Sequence, residues 1–177
     1  MYVSWRQVLS GDFRHIAVAS SADQGRTFTT PVIVSDDRWV LTGCPVSGAT
    51  LSIGTDGAVQ ALWYSEGQRG QTGLYWSASR DHGATFGQRQ LLAAGTTSGT
   101  PVLIGDAKGL TAVWQNAEKD NEGVMMARDF SGAAALPGRV VAANGQLPAA
   151  TGNGGRVFVA YITRSTKGQD IWLVSIG

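Results

Sequence analysis

The chain has 177 residues, of which 43% are hydrophobic and 15% are charged, and its formal net charge is +1. This charge balance provides no basic face large enough to follow a nucleic-acid backbone, so we expect no nucleic-acid binding. No apolar run approaches the roughly 20 residues that a membrane-spanning helix needs. The 24 glycines and 6 tryptophans, without long helix-forming runs, predict an all-β protein with many tight turns.

From the N-terminus onward, one pattern recurs about every fifty residues. An apolar segment surrounds Trp5, and similar segments surround Trp63, Trp114 and Tyr161. After a polar connection that contains glycine, each is followed by a second apolar segment, which predicts a β-hairpin. A third strand follows each of the first three hairpins, and a leading strand precedes each of the last three.

Four short antiparallel strands per repeat are typical of a β-propeller blade. Segments such as 58–64 are apolar on both faces, as expected of a sheet packed between two others. A β-sandwich is the alternative fold, although its strands would not repeat one register four times. We expect one partial propeller domain over 1–177 with about three and a half blades, whose approximate ranges are 1–35, 48–94, 100–144 and 147–177.

The sequence Ser-x-Asp-x-Gly-x-Thr-Phe occurs twice, each time after the second strand of a hairpin. In such a turn the Ser and Asp side chains bond the backbone, and Gly permits positive φ. An Asp occupied in this way is a poor general base, and with no second carboxylate it is a poor metal ligand. We therefore predict structural roles, with the Phe rings packed between sheets, for Ser21, Asp23, Gly25, Thr27, Phe28, Ser79, Asp81, Gly83, Thr85 and Phe86.

These two turns resemble the Asp-box, or BNR repeat, of sialidase-like β-propellers. The third repeat departs from the pattern, because Asp129 stands where Ser is expected and Ser131 where Asp is expected. Sialidases have more blades than this chain provides. The resemblance therefore implies the C-terminal part of a larger propeller, or a propeller whose ring closes by association. Sialidase-like proteins are often exported, but the N-terminal residues show no signal-peptide pattern, so the compartment stays open.

The resemblance also implies what a sialidase active site would need: three arginines that grip a carboxylate, a tyrosine nucleophile assisted by a glutamate, and an aspartate as acid/base. No arginine in the chain is followed by Ile-Pro, the motif that carries the first of these arginines. The blades that would carry the aspartate are absent as well. Tyr64 and Glu66 resemble the Tyr/Glu pair only superficially. We expect no catalytic residue, no metal site and no cofactor, although a longer parent protein could be a glycoside hydrolase.

Candidate ligand-binding residues lie in loops at the end of the blades opposite the Ser-x-Asp turns. Hairpin loops carry Arg14, Glu66 and Arg69, and the connection over 35–48 carries Arg38, Trp39 and Cys44. An Arg can grip a carboxylate while a neighbouring Trp stacks on a sugar face. The structural alternative is that Trp39 fills a gap between blades, Arg38 is solvated and Cys44 is a small buried residue.

Three functional hypotheses follow from these residues. The first is a non-catalytic propeller portion that binds a glycan or a small acidic ligand. The second is the C-terminal part of an exo-glycosidase. The third is a self-associating module in which two copies complete a propeller as a homodimer, because an isolated chain would expose unpaired strand edges.

Overall fold

The computed structural model describes residues 1–41, 48–130 and 138–177, which form four antiparallel sheets. In each sheet, strands that follow one another in sequence lie side by side. The prediction of an all-β chain built from hairpins is therefore confirmed. No helix among the described residues is long and apolar enough to cross a membrane.

The sheets are numbered here in chain order. The first sheet contains β1 (Tyr2–Leu9), β2 (Phe13–Ser20) and β3 (Val32–Val40). The second contains β4 (Thr50–Ile53), β5 (Val59–Ser65), β6 (Gly73–Ser79) and β7 (Gln90–Ala94). The third contains β8 (Thr97–Asp106), β9 (Gly109–Asn116), β10 (Gly123–Phe130) and β11 (Arg139–Ala143). The fourth contains β12 (Gln146–Asn153), β13 (Arg156–Ser165) and β14 (Gly168–Ile176).

Successive sheets share apolar cores. Ile16 of the first sheet packs with Trp63 of the second, and Tyr64 packs in a separate core with Trp114 of the third. A further core joins the third and fourth sheets through residues such as Val124 and Val159. All seven residues of β5 are buried, because neighbouring side chains of a strand point to opposite faces and both faces are covered.

Both Ser-x-Asp turns have the same hydrogen bonds. In the first, the Ser21 hydroxyl donates to Asp23 Oδ1 at 2.8 Å and accepts from the Gly25 amide at 2.8 Å. The Thr27 amide and hydroxyl donate to the two oxygens of Asp23 at 2.9 and 2.7 Å. Ser79, Asp81, Gly83 and Thr85 repeat these contacts in the second turn. These donors lower the pKa of Asp23 to about 2 and also lower that of Asp81.

The two Phe residues of these turns differ. Phe86 packs against the core between the first and second sheets, as predicted. The prediction is wrong for Phe28, which is 44% exposed. Phe86 has the first sheet beside it, whereas no described sheet packs on the corresponding side of the first sheet.

A second difference concerns the connection predicted over 35–48. β3 continues through Val40, so residues 35–40 belong to the strand. The register explains this: Ser35 pairs with Ile16 and Trp39 pairs with Arg14, so residues 36–38 form a bulge opposite His15 alone. Residues 42–47, which include Cys44, lie outside the described residues.

Replacing Asp23 by Asn should lower the melting temperature at neutral pH, because the neutral amide loses the charge-assisted bond to the Thr27 hydroxyl. The folded-state pKa, about 2, lies below the unfolded value, about 3.9. The contribution of the charge is therefore complete above the unfolded pKa and is lost as the pH falls through the folded pKa. Thermal unfolding followed by circular dichroism should show that the difference in melting temperature between Asp23→Asn and wild type disappears as the pH falls from the unfolded pKa to the folded pKa.

Asp120→Asn, at an exposed carboxylate in the loop after β9, is the control and should leave the melting temperature nearly unchanged at neutral pH. A gap for Asp23→Asn that stayed constant into strong acid would contradict the role given to the charge.

Candidate functional site

Several candidate residues lie at one end of the sheets. Because successive strands are antiparallel, the loop after β1, the end of β3 and the loop after β5 share an end, and the Ser-x-Asp turns lie at the other. This end, called the site end below, carries Arg14, Arg38, Glu66 and Arg69. Of the six residues that the sequence suggested as ligand-binding, the structure brings two, Arg38 and Arg69, together on Asp36.

Asp37, in the bulge of β3, has a fully buried side chain. Its Oδ2 accepts from Trp63 Nε1 at 2.8 Å, and its Oδ1 accepts from the Ser35 hydroxyl at 2.7 Å and pairs with Arg89. The Arg89 guanidinium also lies 4.2 Å from the centre of the Tyr75 ring. A buried carboxylate needs such partners to offset the loss of water. The Asp37 carboxylate thus joins the first sheet to Trp63 of β5 and to Arg89, which directly precedes β7.

The loop after β5 packs directly on the bulge. A Cβ atom added at Gly67 would lie 2.0 Å from the backbone oxygen of Asp37, so only glycine fits there. The Ser65 hydroxyl accepts from the Gly67 amide at 3.1 Å and fixes the start of the loop. This close approach places Arg69, further along the loop, beside the exposed residues of the bulge.

The Asp36 carboxylate pairs with two exposed arginines at the site end and lies near the buried His15. It lies 2.8 Å from Arg69 Nη1, 3.5 Å from Arg38 Nε and 3.6 Å from His15 Nε2. The Arg38 and Arg69 side chains are 47% and 53% exposed. Arg38, Arg69 and Asp36 are called the guanidinium cluster below. Two guanidiniums share one carboxylate, so the cluster is positively charged and faces solvent.

Arg38 holds a strained backbone conformation. Its φ is +50°, in the left-handed region that costs an L-residue about 1–2 kcal/mol. Its guanidinium lies 5.7 Å from the centre of the Phe13 ring, a cation–π contact. Residues kept in such conformations occur often at functional sites, because the surrounding structure has to enforce them. Here the bulge enforces it, and the result is a cation directed outward.

His15, beside Asp36, is a buried polar side chain that is only 5% exposed. Within the described part of the chain, neither of its ring nitrogens has a hydrogen-bond partner.

Arg14 does not belong to the guanidinium cluster. Its guanidinium pairs with Asp12 at 2.9 Å and donates to the Leu41 carbonyl at 3.4 Å. Arg14 is therefore engaged by Asp12 of its own hairpin and by Leu41, which follows β3.

Trp39 belongs to the core and not to a sugar-binding surface. It is 7% exposed, meets Tyr64 edge-on at 5.7 Å, and lies under the Arg6 guanidinium at 4.6 Å. Burial lowers the pKa of Arg6, and the charge of Asp37 partly opposes this shift. Of the two interpretations of Trp39 offered by the sequence, the structure agrees with the structural one, because the ring fills the space between sheets.

Tyr64 and Glu66 form a hydrogen-bonded pair. The Tyr64 hydroxyl donates to Glu66 Oε1 at 2.7 Å, and Tyr64 is 6% exposed. Burial raises the pKa of Tyr64, and the hydrogen bond and charge of Glu66 raise it further. Glu66 is placed to accept a proton from this hydroxyl, but burial disfavours a free tyrosinate.

The six candidate residues taken from the sequence do not include Arg6, Arg89 or Asp37. The sequence did contain one indication that Asp37 belongs to a site, because two adjacent carboxylates, Asp36 and Asp37, interrupt a largely apolar segment. No group of three or more His, Cys, Asp or Glu side chains in the described ranges is arranged to hold a metal ion.

Comparisons with known proteins support the fold. No protein-family model matches the chain, and no curated protein does. A protein of unknown function from Dyadobacter fermentans has a similar structure, with a TM-score of 0.65 and 20% identity, over 99% of this chain and 48% of that one. The Hadza microbial sialidase Hz136 is similar over 92% of this chain and 38% of its own, with a TM-score of 0.52 and 16% identity.

The intramolecular trans-sialidase from Ruminococcus gnavus, solved in complex with oseltamivir carboxylate, matches 94% of this chain and 41% of its own, with a TM-score of 0.51 and 13% identity. At these identities the likeness concerns the fold alone. The chain thus has a sialidase-like all-β fold and spans less than half the length of each of these three proteins.

Replacing Asp37 by Asn should destabilise the protein strongly, by about 3–5 kcal/mol, because Arg89 would keep its charge in a largely buried place without a partner. Chemical denaturation measures this free energy of unfolding. The neighbouring substitution Asp36→Asn is the matched control. Asp36 is 45% exposed, so its loss should cost no more than about 1 kcal/mol. Equal effects of the two substitutions would contradict the buried role of Asp37.

Proposed function

We propose that this chain is a non-catalytic portion of a sialidase-like β-propeller and that its site end binds an acidic glycan or another small carboxylate ligand. The observation that carries the proposal is the guanidinium cluster, in which the strained bulge of β3 directs a second guanidinium onto Asp36 at the surface.

The cluster has unused capacity for a carboxylate. A guanidinium carries five N–H donors in a planar fork, which suits two-point contact with a carboxylate. Arg38 contacts Asp36 through Nε and Arg69 through Nη1, and both side chains are about half exposed, so each guanidinium has further donors to offer a second carboxylate. Buried His15 lies behind the carboxylate of Asp36. The guanidinium cluster is thus a positively charged surface, and the buried residues His15 and Asp37 lie beneath it.

The propeller part of the proposal is supported by the sheets and the turns. Each sheet is a blade in this interpretation, and the two turns with Ser21 and Ser79 are Asp-boxes. Each turn follows the strand before the last one of its sheet, β2 or β6, and shared cores join successive sheets. Such repetition is expected of blades arranged around an axis.

The test is binding of glucuronate and of sialylated and neutral glycans, measured by glycan array and titration calorimetry. We expect acidic glycans to bind and their neutral counterparts not to. Arg38→Gly and Arg69→Gln should each weaken binding roughly 10- to 100-fold, the value of one charge-assisted hydrogen bond. Arg38→Gly should retain the fold, because glycine adopts positive φ without strain.

Two controls separate binding from backbone and charge effects. Gln24→Gly removes a side chain at φ +64° in the opposite turn, and Arg164→Gln removes an exposed guanidinium from β13. Both should bind like wild type. A chain that binds no acidic ligand, or that loses binding equally in the controls, would rule out the proposed site.

A second candidate function is that the chain supplies part of the pocket of an exo-glycosidase. The hydrogen bond from Tyr64 to Glu66 favours it, since a carboxylate in that position can take the proton of an attacking phenol. Hydrolysis of a fluorogenic sialoside that is abolished by Tyr64→Phe would establish this function. Binding without turnover, unaffected by Tyr64→Phe, is what the first proposal predicts.

A further inference from the structure

His15 is a buried side chain whose two ring nitrogens are not used in the fold. The residue is 5% exposed, and neither nitrogen has a hydrogen-bond partner among the residues that the structure describes. Buried polar groups are normally hydrogen-bonded, so each exception calls for an explanation. The imidazole can take up a proton without breaking any hydrogen bond to these residues.

The Asp36 carboxylate faces this ring. Its Oδ1 lies 3.6 Å from His15 Nε2, which is within ion-pair range but long for a hydrogen bond. A buried imidazolium needs a counter-ion to offset its loss of water, and Asp36 is in place to supply one. Protonation of His15 therefore converts this contact into an ion pair.

The residues beside His15 on β2 and β1 are uncharged or turned elsewhere. The Phe13 ring lies 6.3 Å from the imidazole, and the register partner of His15 on β1 is Gln7. The Arg14 guanidinium is held by the ion pair and the carbonyl described above, and the Arg6 guanidinium is enclosed in the core between sheets. The charged contact of the imidazole therefore comes from β3.

Through Asp36, His15 is connected to the guanidinium cluster. Arg38 and Arg69 share this carboxylate at 3.5 and 2.8 Å, whereas Asp37 faces the other way, into its buried ion pair. Two guanidiniums and one carboxylate give the cluster a charge of +1, and an imidazolium beside them raises the local charge to +2. One proton on His15 thus changes the charge that the whole cluster presents to a ligand.

We propose that protonation of His15 regulates the site end, so that the guanidinium cluster binds a carboxylate ligand more tightly in mildly acidic solution. This inference rests on the binding function proposed above. Histidine is the side chain whose charge ordinarily changes between about pH 5 and pH 8, while arginine and carboxylates keep theirs. The imidazolium pairs with Asp36, so the two arginines are less neutralised and attract an anion more strongly. Because such coupling is reciprocal, ligand binding takes up protons.

Titration calorimetry with glucuronate at about pH 5.5 and about pH 8, at constant ionic strength, measures the effect. The wild type should bind roughly 5- to 10-fold more tightly at the lower pH, as expected for charges coupled across a half-exposed surface. Binding heats in two buffers of different ionisation enthalpy should show the uptake of protons. His15→Gln should bind with one affinity at both pH values.

His82→Gln is the matched control, because the chain has 2 histidines and His82 lies in the second Ser-x-Asp turn, at the opposite end. The first turn has Gln24 at the equivalent position, with φ +64° against +60° for His82, so the fold accepts glutamine there. This variant should keep the wild-type dependence on pH. An affinity independent of pH in the wild type, or a dependence that only His82→Gln removes, would overturn the inference.

A measurement without ligand separates this inference from the binding function. In NMR spectra, the Cζ signals of Arg38 and Arg69 should shift with pH along the titration curve of the His15 imidazole, and in His15→Gln they should stay in place. The wild type and His82→Gln carry this test even if His15→Gln does not fold. Arginine signals that do not follow His15 would overturn the inference. If they follow it and glucuronate binds at no pH, the binding function fails while His15 still sets the charge of the cluster.

Discussion

The organisation of the site end depends on the buried carboxylate of Asp37. A charge without access to water has to be matched by nearby donors. Two of the three that contact it are Trp63 of β5 and Arg89, which directly precedes β7. To reach them, β3 places three residues opposite His15 alone. Because Asp37 points inward from this bulge, Asp36 and Arg38 are left at the surface. One buried ion pair thus both joins two sheets and determines which charges face solvent.

The arginines near this carboxylate have different roles. Arg6 lies over Trp39, and Arg89 lies over Tyr75, so both are enclosed by the cores between sheets. Arg38 and Arg69 are half-exposed and share Asp36. Since a cation can bind an incoming anion only where donors remain accessible, the second pair carries the proposed binding function and the first pair supports it. Tyr64 extends this support toward Glu66 and the third sheet.

The sequence predicted what short-range patterns determine. The all-β class, the hairpins and the hydrogen bonds of the Ser-x-Asp turns follow from residues close together in the chain, such as Ser21 and Thr27. It did not predict that residues 35–40 are strand, and it left open whether Trp39 belongs to the core. Both depend on the bulge, and the bulge depends on Arg89, more than fifty residues away in sequence. Exposed Phe28 likewise depends on which sheet lies beside it, which no local pattern reveals.

The measurement that tests the central claim most directly is a titration of the protein with glucuronate followed by the side-chain Nε–Hε signals of its arginines in NMR spectra. If Asp37 fixes a surface where an external carboxylate binds, the Arg38 and Arg69 signals should shift together with one saturation curve. The signals of Arg6 and Arg89, enclosed between sheets, should stay in place. Saturable shifts at other arginines with none at Arg38 and Arg69 would contradict the account.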